Sequence, residues 1–196
     1  MKRIMAVFTL LFALSCLAAC SPGAGSPTAE AIATPGAGWL TYTNNAYGFQ
    51  FRYPPGSTIA SSQTDTFGMI QLPFAGGTAL VAKVVQVSVQ QNVSPCSSPV
   101  FVEGSDYTTS NVAVDGVSWT EQAYAETPVG TSVDYTGYSR ASGNVCVSLT
   151  FKLTSRWGTS SATALPAYNK ASESQVFLPI VGSFKWLSGS SVTPTP

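Results

Sequence analysis

Alternation of apolar and polar residues is the feature of this sequence that most restricts its fold. Tyr47, Phe49, Phe51 and Tyr53 occupy every second position before a Pro-Pro-Gly stop. A period of two places such side chains on one face of a β-strand. Residues 80–90 alternate in the same way, and their first half is apolar on both faces, as in a central strand covered on both sides. With a short apolar run at 69–74, the pattern predicts a β-rich domain.

Two hairpins are indicated further along the chain. Asp115-Gly116 stands between alternating apolar residues, which is the strongest short-range hairpin signal. The second predicted pair consists of strands at 131–140 and 145–153 around Ser-Gly-Asn at 142–144. Consecutive strands joined by such short turns pair in the antiparallel sense.

Helical signals are few and late. We expect one helix to begin near Ser172, with Gln175 in the capping-box position. Pro179 should kink or shorten this helix, and its buried face would consist of Val176, Phe177 and Ile180. A further helical turn is predicted at 162–169. The expected fold class is therefore α+β, an antiparallel β-sheet packed with helices.

The first residues have the pattern of an export signal. Lys2 and Arg3 precede an apolar run of 16 residues at 4–19, shorter than the ~20 residues of a membrane-spanning helix. The run ends in Leu-Ala-Ala-Cys at 17–20, which resembles the lipobox of bacterial lipoproteins. The resemblance implies cleavage before Cys20, lipidation of Cys20 and anchoring to the outer side of a membrane, at the cell surface or on the periplasmic side. The alternative is an ordinary secretory signal that happens to end in a cysteine.

These signals divide the chain into four parts. Residues 1–19 are the expected signal peptide, and residues 20–38 form a Ser/Pro/Gly/Ala-rich linker that begins with the lipidated cysteine. A coil of this composition spans roughly 20 to 25 Å. Residues 39–187 form one domain, and residues 188–196 form a flexible tail.

Two cysteines lie within the expected domain, Cys96 and Cys146, whereas Cys16 would leave with the signal peptide. In an oxidising compartment two such thiols usually pair, so a disulfide is predicted. A two-cysteine metal site is the alternative, but the chain has no histidine and no Cys-x-x-Cys spacing.

Composition argues against several classes of function. Without Lys2 and Arg3, seven basic residues face nine acidic ones, a net charge near −2 that disfavours nucleic-acid partners. Because histidine is absent, neither a Ser-His-Asp nor a Cys-His arrangement can form. Gly116-Val117-Ser118-Trp119 begins like a nucleophile elbow but lacks its final glycine. No enzyme activity, cofactor or metal is indicated.

A few acidic and aromatic residues are weaker candidates for a site. Glu121, Glu126 and Asp134 are close enough in sequence to form a carboxylate pair, and Glu103 with Asp106 is a possible calcium-binding loop. Solvated charges are the favoured interpretation of both. The numerous aromatic residues are expected in the core. Trp157, which lies between Arg156 and Gly158, is the aromatic most expected at the surface.

The two ends of the domain resemble those of a known group. Residues 42–54 read Tyr-Thr-Asn-Asn-Ala-Tyr-Gly-Phe-Gln-Phe-Arg-Tyr-Pro, and residues 180–186 read Ile-Val-Gly-Ser-Phe-Lys-Trp. Both are similar to the opening strand and the close of PsbP-like domains, which share their fold with a Ran-binding nuclear import factor. The resemblance implies an α-β-α sandwich, and it implies no particular activity because functions within this fold diverge.

The functional expectation is a membrane-anchored, non-catalytic interaction or accessory module of the cell envelope, with an envelope protein as partner. A solute- or polysaccharide-binding lipoprotein is the alternative, and it requires an aromatic-lined concave site. An enzyme that uses carboxylates alone is the third and least favoured hypothesis.

Overall fold

The computed structural model describes residues 34–101, 106–156 and 165–187. The expected signal peptide, Cys20, most of the linker, Glu103, Trp157 and the tail at 188–196 lie outside these residues. The described part is dominated by two antiparallel β-sheets with two short helices. The β-rich antiparallel prediction is confirmed, but the helical content is lower than expected for an α+β sandwich.

The larger sheet has seven strands in the order β3-β4-β5-β9-β8-β7-β6. Their bounds are Thr58–Ile59 (β3), Phe67–Gln71 (β4), Leu80–Gln91 (β5), Thr108–Val114 (β6), Val117–Glu126 (β7), Thr131–Ser142 (β8) and Val145–Arg156 (β9). As predicted, β5 is a central strand, with β4 on one side and β9 on the other. The strand expected at 69–74 begins two residues earlier and ends at Gln71.

Both predicted hairpins are present. β6 and β7 join through Asp115 and Gly116, whose φ angles are 49° and 74°. Positive φ at both turn positions is the type I′ arrangement that matches the twist of paired strands. β8 and β9 pair along their whole length around the turn at 142–145 and are longer than predicted.

The smaller sheet contains β1 (Leu40–Asn44), β2 (Phe49–Tyr53) and β10 (Lys185–Trp186), with β2 in the middle. β2 alternates as predicted: Phe49, Phe51 and Tyr53 are buried, and the residues between them are half-buried. The smaller sheet and the larger one share a single hydrophobic core. The face of the larger sheet that carries Val85 and Leu149 into this core is its inner face, and the opposite face is its outer face.

The late helical region consists of two short helices, α1 (Lys170–Ser174) and α2 (Phe177–Gly182). A helix does begin near Ser172, at Lys170, but its cap is Asn169 rather than Ser172: the Asn169 side-chain oxygen accepts a hydrogen bond from the Ser172 backbone N–H. One continuous helix is prevented because Pro179 has no N–H to donate to the carbonyl of Gln175. Instead, Pro179 lies in the first turn of α2, where no such donor is needed.

The buried face of the helical region largely matches the prediction. Phe177 and Ile180 are buried, whereas Val176 only packs against the edge of the core. Phe177 stacks on Phe151 of β9 with ring centroids 4.1 Å apart. Residues 165–169, the described part of the helical turn expected at 162–169, have no regular secondary structure. No helix among the described residues has the length and apolar character needed to cross a membrane.

Candidate binding site at the disulfide-linked end of the sheet

Cys96 and Cys146 form the predicted disulfide, with an S–S distance of 2.08 Å and a Cα–Cα distance of 5.4 Å. Cys146 is the second residue of β9, and Cys96 lies in the connection between β5 and β6. The two residues are 50 positions apart in the sequence. A cross-link of this span removes about 4 kcal/mol of unfolded-state entropy on the chain-entropy model.

The connection between β5 and β6 crosses the outer face of the larger sheet beside this disulfide. Buried Ser98 donates its backbone N–H to Gln122 Oε1 at 3.0 Å, and its hydroxyl lies 2.6 Å from the hydroxyl of Thr150. Phe101 lies directly over Gly137 of β8, so closely that a Cβ on Gly137 would meet the ring at 2.7 Å. The connection is therefore packed against β7, β8 and β9.

A pocket with a volume of about 530 Å³ lies next to this connection. Pro95 and Cys96 contribute to one wall, the β6–β7 turn at Gly116 to another, and the end of β8 to a third. Pairing between β7 and β8 begins at Thr120 and Ser139, so the two strands separate at the pocket. The edge of β7 that faces the pocket, at 117–119, is consequently not paired with β8.

Arg140 is the one charged residue among the pocket-lining residues that the structure describes. Its guanidinium carbon lies 6.0 Å from the centroid of the Trp119 ring, within the range of a cation–π contact. The described residues include two ion pairs, Lys83–Glu173 and Lys170–Asp134, and neither involves Arg140. Arg140 thus has no carboxylate partner in the described part of the chain. Its side chain lies on the inner face of the sheet, because Arg140 is opposite Val147 in the β8–β9 register.

The three acidic residues singled out from the sequence do not converge. Glu121 and Asp134 lie on the inner face of the sheet, whereas Glu126 lies on the outer face. In the β7–β8 register, Asp134 is opposite Ala125, four residues along β7 from Glu121. At ~3.3 Å per residue, the backbone positions of Glu121 and Asp134 are about 13 Å apart along the strands, and the two carboxylates accept hydrogen bonds from different tyrosines.

Each of these carboxylates instead accepts a hydrogen bond from a tyrosine. The donors are Tyr138 to Glu121 at 2.9 Å, Tyr135 to Glu126 at 2.9 Å, and Tyr168 to Asp134 at 2.6 Å. Asp134 also accepts from Lys170 Nζ at 2.5 Å, which connects β8 to the start of α1. These acids were expected to be solvated charges. The structure shows in addition that each is held by the hydroxyl of a tyrosine.

The pKa values of these tyrosines reflect the pairing. Burial, followed by the hydrogen bond to Glu126, raises the pKa of Tyr135 to about 12. The pKa values of Tyr138 and Tyr168 are raised further, again chiefly by burial, with the neighbouring carboxylate as the additional cause. An ionised phenol beside a carboxylate would place two negative charges together, so the phenols remain donors at neutral pH.

Most of the aromatic residues belong to the core, as predicted, but two tyrosines on the outer face are half-exposed. Tyr124 and Tyr135 stack with ring centroids 6.1 Å apart. Lys152 Nζ lies 5.6 Å from the Tyr135 ring centroid. These three side chains form an amphipathic patch on neighbouring strands, the outer tyrosine patch.

The remaining sequence candidates give no site among the described residues. Residues 116–119 belong to the turn between β6 and β7 and to the first residues of β7. They do not form the strand-to-helix turn of a nucleophile elbow. Asp106 is exposed, and its partner in the expected calcium loop, Glu103, lies outside the described residues. Within the described ranges, no group of three or more acidic, histidine or cysteine side chains is arranged to hold a metal ion.

The sequence alone did not single out Arg140, although two of its signals bear on the pocket. The Asp-Gly turn places Trp119 near the start of β7, and the disulfide joins Pro95-Cys96 to the β8–β9 hairpin. Together they bring the walls of the pocket to one end of the sheet. The register of β7 against β8 is the missing information, because it decides that Arg140 lies beside Trp119.

Comparison with known proteins adds little to this geometry. No protein-family model and no curated protein matches the chain. Among solved structures, a crystal structure of a protein from Bacteroides thetaiotaomicron VPI-5482 is similar, with a TM-score of 0.49 and 12% sequence identity. The match covers 79% of this chain and 50% of the other, so this chain spans about half the length of that protein. The likeness identifies neither a family nor a function.

Proposed function

We propose that this chain is an extracytoplasmic lipoprotein, anchored through Cys20, whose domain is a non-catalytic interaction module of the cell envelope. The observation that carries the proposal is the Cys96–Cys146 disulfide. Disulfides persist in oxidising compartments outside the cytoplasm and are rare within it. The disulfide therefore agrees with the export signal at 1–19.

The anchor part of the proposal rests on the four residues that end the export signal. Leu-Ala-Ala-Cys at 17–20 resembles a lipobox in both content and position. Two or three acyl chains, at roughly 0.8 kcal/mol per buried CH2, hold a protein on a membrane essentially permanently. The Ser/Pro/Gly/Ala-rich composition of residues 20–38 predicts a spacer between such an anchor and the domain.

We further propose that the domain is PsbP-like. The two segments that carry this resemblance lie side by side in the smaller sheet: Lys185 and Trp186 pair with Gln50 and Phe49. The Phe49 ring also packs on Phe184, with centroids 5.5 Å apart. Contact between the opening and the close of the domain supports the resemblance, although the helices found are shorter than those of an α-β-α sandwich.

The arrangement of the acidic residues supports a non-catalytic role. Glu121, Glu126 and Asp134 each accept a hydrogen bond from a separate tyrosine, and no two of them share a site. An enzyme that relies on carboxylates needs two of them flanking one reacting bond.

The outer tyrosine patch favours a second candidate function, a polysaccharide-binding lipoprotein. Stacked half-exposed rings on adjacent strands, with Lys152 beside them, offer an apolar surface next to hydrogen-bond donors. Aromatic rings with a polar edge suit ligands that have both apolar and hydroxylated faces. The patch lies on a sheet face rather than in a cleft, whereas small-ligand sites are usually concave, so the interaction module is preferred.

Cross-linking in the native host distinguishes the two functions. The lipidated chain would be cross-linked on intact cells, purified from solubilised membranes and examined by mass spectrometry for proteins and retained glycans. The proposal expects the same envelope protein in repeated experiments, cross-linked to residues of the 39–187 domain. If glycan is retained instead, and is lost in Tyr124→Ala but not in Val129→Ala, the second candidate replaces the first. Val129 is a suitable control because it is fully exposed at the β7–β8 turn.

A further inference from the structure

We propose that the free edge of β6 binds an extended peptide segment of a partner protein by β-strand addition, and that this segment has basic residues at its ends. β6 is the last strand of the larger sheet, and no described strand pairs with it on the side away from β7. In β-strand addition a peptide joins such an edge through main-chain hydrogen bonds. The inference rests on the proposed interaction module and names the surface by which it contacts its partner.

The turn at Asp115-Gly116 decides which backbone groups of β6 face outward. In a two-residue hairpin the residues that flank the turn, here Val114 and Val117, exchange both backbone hydrogen bonds. Hydrogen-bonded positions alternate along an antiparallel pair, so every second residue of β6, counted back from Val114, also bonds to β7. The residues between them direct both their N–H and their C=O groups to the free edge: Thr109, Asn111 and Ala113.

β6 lacks the features that usually protect an edge strand. Protection comes from short length, charged residues, proline, a bulge or a covering segment. β6 has seven residues, none of them charged and none of them proline, and it pairs with β7 in one unbroken register. All of its residues except Val112 and Val114 are exposed. An extended segment can therefore reach most of this edge.

The other described edges are shorter or partly covered. β3 and β10 have two residues each. β1 has five, and the segment 63–65 lies beside its end, where Asn44 Nδ2 donates to the backbone carbonyl of Asp65 at 2.7 Å. β6 is thus the longest of these edges and the most suitable for an added strand.

The charge around β6 indicates the chemistry of the partner. Residues 106–126, which include β6, the turn and β7, contain four acidic residues and no lysine or arginine. Asp106 and Asp115 are exposed at the two ends of β6, and neither belongs to an ion pair among the described residues. Opposite charges on neighbouring strands stabilise their pairing. A lysine or arginine near each end of the added segment would meet one of these carboxylates.

The same charges disfavour a second copy of this chain as the occupant. Two antiparallel β6 strands centred on Asn111 would place Asp106 of each copy within one position of Asp115 of the other. Like charges across a strand pair are destabilising. The expected occupant is therefore a segment of a different protein.

A nuclear magnetic resonance titration with synthetic peptides tests this inference. The first peptide has about nine residues, alternating Val and Thr with lysine at both ends, which matches the roughly 30 Å between the ends of the acidic edge. The second has glutamate in place of lysine. The third keeps the lysines but has its central backbone amides N-methylated, which removes hydrogen-bond donors without changing charge. Each would be added to the ¹⁵N-labelled processed chain from residue 20 onward in non-ionic detergent.

The lysine-ended peptide should shift three backbone amide signals saturably and protect them from hydrogen exchange: those of Thr109, Asn111 and Ala113. The amides of the alternate residues, already bonded to β7, should change less. Binding of the glutamate-ended peptide should be roughly tenfold weaker, because two attractions become repulsions. The N-methylated peptide should not bind.

Two proline variants compare the edge of β6 with that of β1. Asn111→Pro should abolish the response, because it removes an outward donor while leaving the bonds between β6 and β7 in place. Thr41→Pro is the matched control and should bind like the wild type. Thr41 also faces a free edge, since it lies opposite Arg52, whose N–H donates away from β1 to Ser183 Oγ.

Three results with the unmodified chain would overturn the inference, so it does not depend on the folding of a variant. They are the absence of a saturable shift at the three outward amides, equal binding of the lysine-ended and glutamate-ended peptides, and the same shifts when the chain is concentrated without peptide. The last result would identify a second copy as the occupant. An envelope protein cross-linked elsewhere on the domain would leave the proposed interaction module intact while the edge of β6 is refuted.

Discussion

At the scale of single residues, the main feature of the domain is the pairing of carboxylates with tyrosines. The sequence identified Glu121, Glu126 and Asp134 as candidates because they are close in the chain. It could not show that they point to different faces and different partners, since that depends on strand register. A shift of one residue in a β-strand moves every side chain to the opposite face. Sequence spacing therefore located these residues without revealing what they do.

Buried Tyr138 should make the stability of the domain depend on alkaline pH. Burial, with the nearby Glu121 carboxylate, raises its pKa in the folded state, whereas a tyrosine in the unfolded chain ionises near pH ~10. Below that pH both states are protonated and the contribution of Tyr138 is complete. Above it the unfolded state ionises first, so the free energy of unfolding should fall as pH rises.

Urea unfolding of the wild type and Tyr138→Phe between pH 8 and pH 11 tests this expectation. At pH 8 the variant should be about 1 to 2 kcal/mol less stable, because it loses a hydrogen bond to a carboxylate. Above pH 10 its stability should decline less steeply than that of the wild type, by up to ~1.4 kcal/mol per pH unit. Parallel declines in the two proteins would show that Tyr138 ionises equally easily in both states.

At the scale of secondary-structure elements, local signals were sufficient for strands and hairpins. The Asp115-Gly116 turn and the alternation in β2 were predicted correctly, because turn chemistry and side-chain period are encoded locally. The cap of the first helix was misplaced, because Ser172 and Asn169 are both residues that can cap a helix and the structure uses Asn169. The two-residue strand β10 has too little pattern of its own and forms through pairing with β2.

The connection between β5 and β6 gives an element-scale prediction. Gly137→Ala should cost about 1 to 3 kcal/mol, because the new methyl group would overlap the packed ring of Phe101 and push the connection away from the sheet. Gly76→Ala is the matched control: it has ordinary φ and no atom within 4 Å of the new Cβ, so its stability should be unchanged or slightly greater. Urea midpoints of both variants provide the comparison, and equal midpoints would contradict the close packing of Phe101.

At the scale of the whole molecule, long-range contacts account for what the sequence could not predict. The disulfide was predicted because the domain contains only two cysteines, Cys96 and Cys146, and two thiols in an oxidising compartment usually pair. The pocket was not, because its walls come from three segments that are distant in the chain and meet only once the sheet has formed. The proposed export signal at 1–19 lies outside the described residues and needs a biochemical test.

The most direct test of the proposed anchor is the intact mass of the chain extracted from host membranes, compared among the wild type, Cys20→Ala and Cys16→Ala. Cys16 is the matched control, since it lies in the same segment four residues before Cys20. We expect the wild type and Cys16→Ala to give a membrane-bound chain that begins at residue 20 and carries the added mass of a diacylglyceryl group. Cys20→Ala should lack that mass and either retain residues 1–19 or leave the membrane fraction. If Cys20→Ala is processed and retained like the wild type, the lipid anchor on Cys20 is contradicted.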